Sequence, residues 1–154
     1  MDGALAANGI LSLSKLGAAF AICAAAIGSA VGSGVAGLAA AGAWKKCYAQ
    51  RKAAPFMLIA FIGLPLTQTI YGMIVMNAIL TAARKGALSP GLMMMGMAAG
   101  AAIGITSWAK GQAGAAACDA MAETGKGFVN YLMAMGVIET VSLFVMVFAT
   151  KPLA

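Results

Sequence analysis

GFVNYLMAMGVIETVSLFVMVFAT, residues 127–150, holds one charged residue, Glu139, in 24 positions. A helix needs roughly 20 apolar residues to cross a bilayer, and this stretch supplies them with an acid thirteenth in line, at its centre. Three further runs carry no charge at all: residues 16–44, 53–83 and 86–109. The whole chain of 154 residues is 62% hydrophobic and only 9% charged, against about 25% charged in ordinary soluble domains. Lipid is therefore the solvent this sequence is written for. In lipid the backbone must satisfy its own hydrogen bonds, which leaves helices or a closed barrel. Strict period-two alternation is absent and Ala, Leu, Met and Gly dominate, so the sequence predicts four transmembrane helices, over about 11–45, 54–83, 89–120 and 126–150.

The four spans fall into two similar halves, residues 1–85 and 86–154, each predicted to be a helical hairpin. The first span is rich in small residues from Ala24 to Gly37, and the third repeats that character with Gly96, Gly100, Gly104 and Gly111. Glycines on one helix face let backbones approach closely in a membrane, whereas in a soluble helix they are costly. The second and fourth spans are bulkier, and each has a polar residue near its middle: Gln68, sixteenth of the 31 residues in 53–83, and Glu139.

The net charge of +6 sets ten basic residues, scattered at the ends of apolar spans, against four acidic ones. That suits membrane flanks and argues against nucleic acid, for which little polar surface remains. The loop near 44–53 holds Lys45, Lys46, Arg51 and Lys52, so the positive-inside tendency places both hairpin loops in the cytoplasm and both termini opposite. Those four cations suit contact with a soluble partner or with lipid headgroups. Cys23, Cys47 and Cys118 have no metal-ligand spacing and His is absent, which excludes a zinc site or a His-based triad; the cysteines read as small buried apolar residues. Asp2 and the late first cation, Lys15, distinguish the first apolar run from a signal peptide, so it is expected to remain as a span.

Glu139 carries the chemistry. An ionisable group at mid-bilayer costs roughly 2.5–3.5 kcal/mol or more as an ion, and is tolerated when neutral, paired or coordinating. A carboxylate that is neutral when occupied and charged when empty can face lipid only in the first form, which suffices for a one-ion carrier of H+ or Na+. The second span reads Leu64-Pro65-Leu66-Thr67-Gln68-Thr69-Ile70-Tyr71-Gly72. Pro65 interrupts the helical hydrogen bonding, while Thr67, Gln68 and Tyr71 offer hydroxyl, amide and phenol groups at one depth. These are oxygen ligands for a cation and donors for a carboxylate.

With these motifs, with Val137-Ile138-Glu139-Thr140 and with Ile27-Gly28-Ser29-Ala30-Val31-Gly32, the chain resembles the four-helix proteolipid of V-type ATPases, known as the c or K component of the rotor ring. The resemblance covers nearly the whole chain. It implies a homo-oligomeric ring in the lipid bilayer, a stator protein that supplies an arginine, central-stalk proteins at the hairpin loops, H+ or Na+ as the transported ion, no bound cofactor and no catalysis in this chain. No Gly-x-x-x-x-Gly-Lys-Ser/Thr loop is present for nucleotide. In sodium-binding members the cation is held by residues matching the Leu64 main-chain oxygen, Thr67, Gln68 and Glu139, with a tyrosine matching Tyr71 bonded to the carboxylate. Those members also place a glutamine in an Ala-Gln-Gly-Lys context on span three, where this chain has Ala109-Lys110-Gly111-Gln112. Counted from a loop centred near 124, Lys110 and Glu139 have similar depth. Lys110 could pair with Glu139 and compete with a cation, or snorkel away. Gln112 lies about 200° further round the helix and cannot simply stand in for the missing ligand. A small four-span proton-coupled secondary transporter is the alternative, although such transporters typically carry their Glu in the first span, which here has no acid and only Phe20 as an aromatic. A purely structural membrane oligomer is a third reading.

Overall fold

The computed structural model describes residues 2–87 and 89–153, with side chains from residue 8 onward. All regular structure among them is helical: α1 (Asp2–Ala49), α2 (Leu58–Gly63), a 3-10 turn (Leu64–Leu66), α3 (Thr67–Arg84), α4 (Pro90–Thr124), α5 (Phe128–Thr150) and a closing 3-10 turn (Lys151–Leu153). Four stretches are long and apolar enough to cross a membrane: Asn8–Ala49, Leu58–Arg84, Pro90–Thr124 and Phe128–Leu153. Even the shortest, the 26 residues of Phe128–Leu153, reaches ~39 Å at 1.5 Å per residue, beyond a hydrocarbon core of ~30 Å.

The helices begin and end for local reasons. After α1 the chain turns at Arg51, whose φ of 54° is left-handed, and runs without regular structure past Pro55. The Trp44 indole donates to the Pro55 carbonyl at 2.8 Å, which fastens this connection to the end of α1. The second span consequently starts at Leu58 and not at 54. The first and third helices outrun their expected limits, to Ala49 and Thr124, because their charged ends continue as helix past the apolar run. Ser89 caps α4 by accepting from the Gly91 amide at 3.1 Å, with Pro90 in the first turn, where no amide hydrogen is needed. Gly125, at φ 65°, ends α4 by donating its amide to Met121 O at 2.8 Å, the usual role of glycine in a left-handed C-terminal position.

The most extensive contact in the molecule joins α1 to α4, across the two halves. It rests on glycine facing glycine. A Cβ built on Gly28 would lie 2.1 Å from the Gly104 carbonyl oxygen, one on Gly96 would lie 2.1 Å from Gly17 O, and one on Gly111 would lie 2.3 Å from Gly32 Cα. The two small-residue helices thus touch backbone to backbone, as their glycine pattern suggests. The bulkier α3 and α5 pack on the outside of this pair. Apolar packing forms two clusters, one around Ala21, Val75, Ile79 and Ile103, the other around Leu58, Phe61, Cys118 and Met135. Between them in sequence, on each of the four spans, lie Ser29, Gln68, Ser107, Lys110 and Glu139. Cys47 and Cys118 are buried, but Cys23 is exposed on the single chain, which corrects the reading of all three cysteines as interior packing residues: it lies on a face of α1 turned away from both α3 and α4.

A methyl group at Gly28 has nowhere to go, because its neighbour is rigid backbone. Gly28→Ala should force α1 and α4 apart and destabilise the detergent-solubilised chain by about 1–3 kcal/mol, the range for overpacked cores. Gly42→Ala, with open space at its Cβ, should not lower the melting temperature in the same assay and should raise it slightly, since alanine is the better helix former.

Candidate functional site

The 3-10 turn at Leu64–Leu66 sets the site. Pro65 lies at its start, and the tighter winding turns local oxygens inward. Leu64 O accepts the Thr67 amide and also faces the Thr67 hydroxyl at 3.0 Å. The Pro65 carbonyl accepts from Ser107 Oγ of α4 at 2.7 Å, so the turn is tied to the third span. Gly32 of α1 closes the back: a Cβ there would meet Ser107 O at 2.4 Å and the Pro65 ring at 3.1 Å.

Glu139 stands at the middle of α5 and reaches this turn. Its Oε1 accepts from Thr67 Oγ1 at 2.7 Å and from the Tyr71 hydroxyl at 2.7 Å. Its Oε2 lies 2.9 Å from Lys110 Nζ. The Lys110 side chain is fully buried and that of Glu139 is 17% exposed, so the ammonium faces inward and the carboxylate sits at the outer edge. Lys110 Nζ also donates to Leu64 O at 2.9 Å and to Thr67 Oγ1 at 3.1 Å. An ammonium has three hydrogens, and here it has three oxygens for them.

The Thr67 hydroxyl has a single hydrogen to give, and Glu139 Oε1 is its nearest acceptor; Gln68 Oε1, like Leu64 O, lies farther off at 3.0 Å. Gln68 is fully buried and touches the cluster only through Thr67, while its amide nitrogen has no partner. Gln112 is exposed, apart from the cluster. Thr140, next to the acid, bonds back to Val137 O at 2.7 Å and takes no part. The structure therefore brings together Leu64, Thr67, Tyr71, Lys110 and Glu139, with Gln68 alongside. Sequence reading passed over Ser107. Its signal was its spacing: it lies three residues before Lys110, on the same helix face, at the depth of Pro65.

The fold and the site define a four-helix integral membrane protein with an ion-paired carboxylate at the centre of its last span. Within that class, residues 90–150, α4 through the end of α5, match the family model that describes the C subunit of ATP synthase, a stretch that includes both Lys110 and Glu139. No curated protein matches the chain.

Breaking a buried ion pair by removing one partner typically costs 3–5 kcal/mol, whereas removing both is much cheaper. Glu139→Gln alone leaves the Lys110 ammonium without a counter-charge and should lower the melting temperature in detergent. Glu139→Gln combined with Lys110→Gln should recover most of the loss. Equal and additive effects in this double-mutant cycle would mean that the two groups do not interact.

Proposed function

We propose that this chain is an ion-carrying rotor component of a rotary ATPase membrane sector, of the duplicated V-type form, working as a ring of identical copies. The observation that carries the reading is the placement of Glu139. The acid sits at the centre of a membrane span, held by Thr67 and Tyr71 from the second span, within a segment similar to the C subunit of ATP synthase. A carboxylate at this depth and at the edge of its chain can exchange an ion with a neighbouring stator protein and then pass lipid in a neutral form. The stator would contribute an arginine that displaces the ion. ATP hydrolysis belongs to a separate soluble headpiece, so this chain is a non-catalytic part of the machine. The cargo is H+ or Na+, with Leu64 O, Thr67, Gln68 and Glu139 as the ligand set for the latter.

On this reading the hairpin loops lie in the cytoplasm, where Lys45, Arg51 and Lys52, exposed beside the first loop, would meet the central stalk. Lys46 is engaged by Glu123 across the ends of α1 and α4, which joins the two loop regions into one surface. The secondary-transporter alternative is disfavoured by the small-residue first span, which has no acid to carry a substrate-coupled proton.

The test uses the assembled ATPase in inverted membrane vesicles. Glu139→Gln with Lys110→Gln, chosen so that no buried ammonium is left unpaired, should reduce ATP-driven ion uptake at least about tenfold, equivalent to 1.4 kcal/mol or more of lost function, while the ring is still recovered intact. Undiminished ATP-driven uptake would support the structural-oligomer reading, and uptake driven by a pH gradient without the headpiece would support the transporter.

A further inference from the structure

The oxygens around Lys110 Nζ form the kind of shell a small cation occupies. A main-chain carbonyl (Leu64), a hydroxyl (Thr67) and a carboxylate oxygen (Glu139) lie 2.9–3.1 Å from one nitrogen, and the amide of Gln68 stands next to Thr67. Carbonyl, hydroxyl and carboxylate oxygens are the ligands hard cations prefer. Three of them converge here on an ammonium that belongs to the protein. From this geometry we infer that Lys110 is a tethered resident cation: it fills the cation position beside Glu139 and makes the site refuse Na+. The inference rests on the reading of Glu139 as the ion carrier and specifies which ions that carrier accepts.

The fit of the ammonium explains why. Each of its three hydrogens has an acceptor, and its charge is met by Glu139. A Na+ ion would have to displace a positive group of equal charge, covalently attached to α4 and fully buried. Because the ammonium is tethered and already positioned by the fold, it binds without the loss of translational freedom that a free ion incurs. The pair is also neutral overall, so Glu139 is covered while still ionised. Exchange is then confined to protons. Adding one H+ to the carboxylate leaves a neutral acid beside the ammonium, and removing one H+ from the ammonium leaves a neutral amine beside the carboxylate. Neither step needs a vacant metal position.

The unpaired Gln68 amide carries the second half of the inference. Its oxygen already lies 3.0 Å from Thr67 Oγ1, on the side of the cluster, and its nitrogen has no acceptor to hold the amide where it is. With the ammonium gone, a small rotation of the Gln68 side chain brings that oxygen to the vacated position without breaking a hydrogen bond of the nitrogen. Lys110→Gln should therefore convert the cluster into a Na+ site lined by Leu64 O, Thr67, Gln68, Glu139 and the new amide.

The test is labelling of Glu139 in the purified full-length ring by a hydrophobic carbodiimide, which reacts with the protonated carboxyl, at fixed pH with and without NaCl, alongside retention of radioactive Na+. In the unaltered protein NaCl should change the labelling rate less than about twofold and no Na+ should be retained. In Lys110→Gln, Na+ at ten times its Kd should slow labelling by ~tenfold, the protection expected of simple competitive occupancy. Protection of the unaltered protein by NaCl would overturn the inference. So would a correctly assembled Lys110→Gln ring that Na+ does not protect. If that variant fails to assemble, Lys110→Met, which removes the charge and adds no ligand, takes its place with retention of Na+ as the readout, and a ring that retains none would overturn the inference as well. ATP-driven pumping is not read in any arm, so these outcomes leave the rotor reading standing, and the vesicle test of that reading leaves these arms intact.

Discussion

An ammonium and a carboxylate 2.9 Å apart between apolar helices impose conditions on everything around them. Each charge alone would be expelled from a membrane interior, so the pair has to be held together and supplied with further donors and acceptors. Thr67 and Tyr71 serve the carboxylate, and Leu64 O and Thr67 serve the ammonium. That requires the second span to turn carbonyl and hydroxyl oxygens towards the fourth at one depth, which Pro65 and the 3-10 turn accomplish. It also requires α4 to bring a long side chain past the second span, and Ser107 bonded to Pro65 O fixes the relative height of the two.

The close approach of α1 and α4 stands behind this arrangement. Gly28 and Gly104, and Gly32 and Gly111, meet at backbone distance, which fixes how α4 is rotated about its axis; Ser107 and Gly114 lie at the flank of this contact, with Ser107 Oγ 3.4 Å from Ser29 Oγ of α1 and a Cβ on Gly114 3.4 Å from Ala36 Cβ. Gly114 lies against Phe61 O of α2 and Met135 of α5, each 3.0 Å from where its Cβ would be. Lys110, one turn earlier on the same face, therefore points between the second and fourth spans. The glycine packing and the ion pair are two results of one helix rotation.

Much of this was legible in the sequence. The charge-free runs give four helices, and the lone acid in residues 127–150 gives the site. Thr67, Gln68 and Tyr71 announce themselves by clustering around Pro65. Counting from the second loop puts Lys110 level with Glu139. Counting does not say which way Lys110 points, because that depends on how α4 is rotated, and the rotation is fixed by contacts with α1, which is distant in sequence. The same holds for the part of Ser107, a residue unremarkable until Pro65 O is found beside it. The start of the second span was missed by four residues, since Pro55 and its bond to Trp44 look apolar in sequence yet form part of the connection. The exposure of Cys23 likewise depends on which face of α1 meets its neighbours.

The backbone contact between α1 and α4 has a mechanical meaning too. Side chains at an ordinary helix interface can repack and let the helices slide, but carbonyl oxygens set against bare Cα atoms cannot. A shift of one residue along either axis would drive the Cβ of a residue next to one of these glycines, such as Ser29 or Ile105, into the opposite main chain. The pair therefore behaves as a stiff double rod running the depth of the molecule. A displacement at the loop ends, where Lys46 meets Glu123, is therefore carried to the level of Lys110 with little bending, and the movable wall of the site is α5.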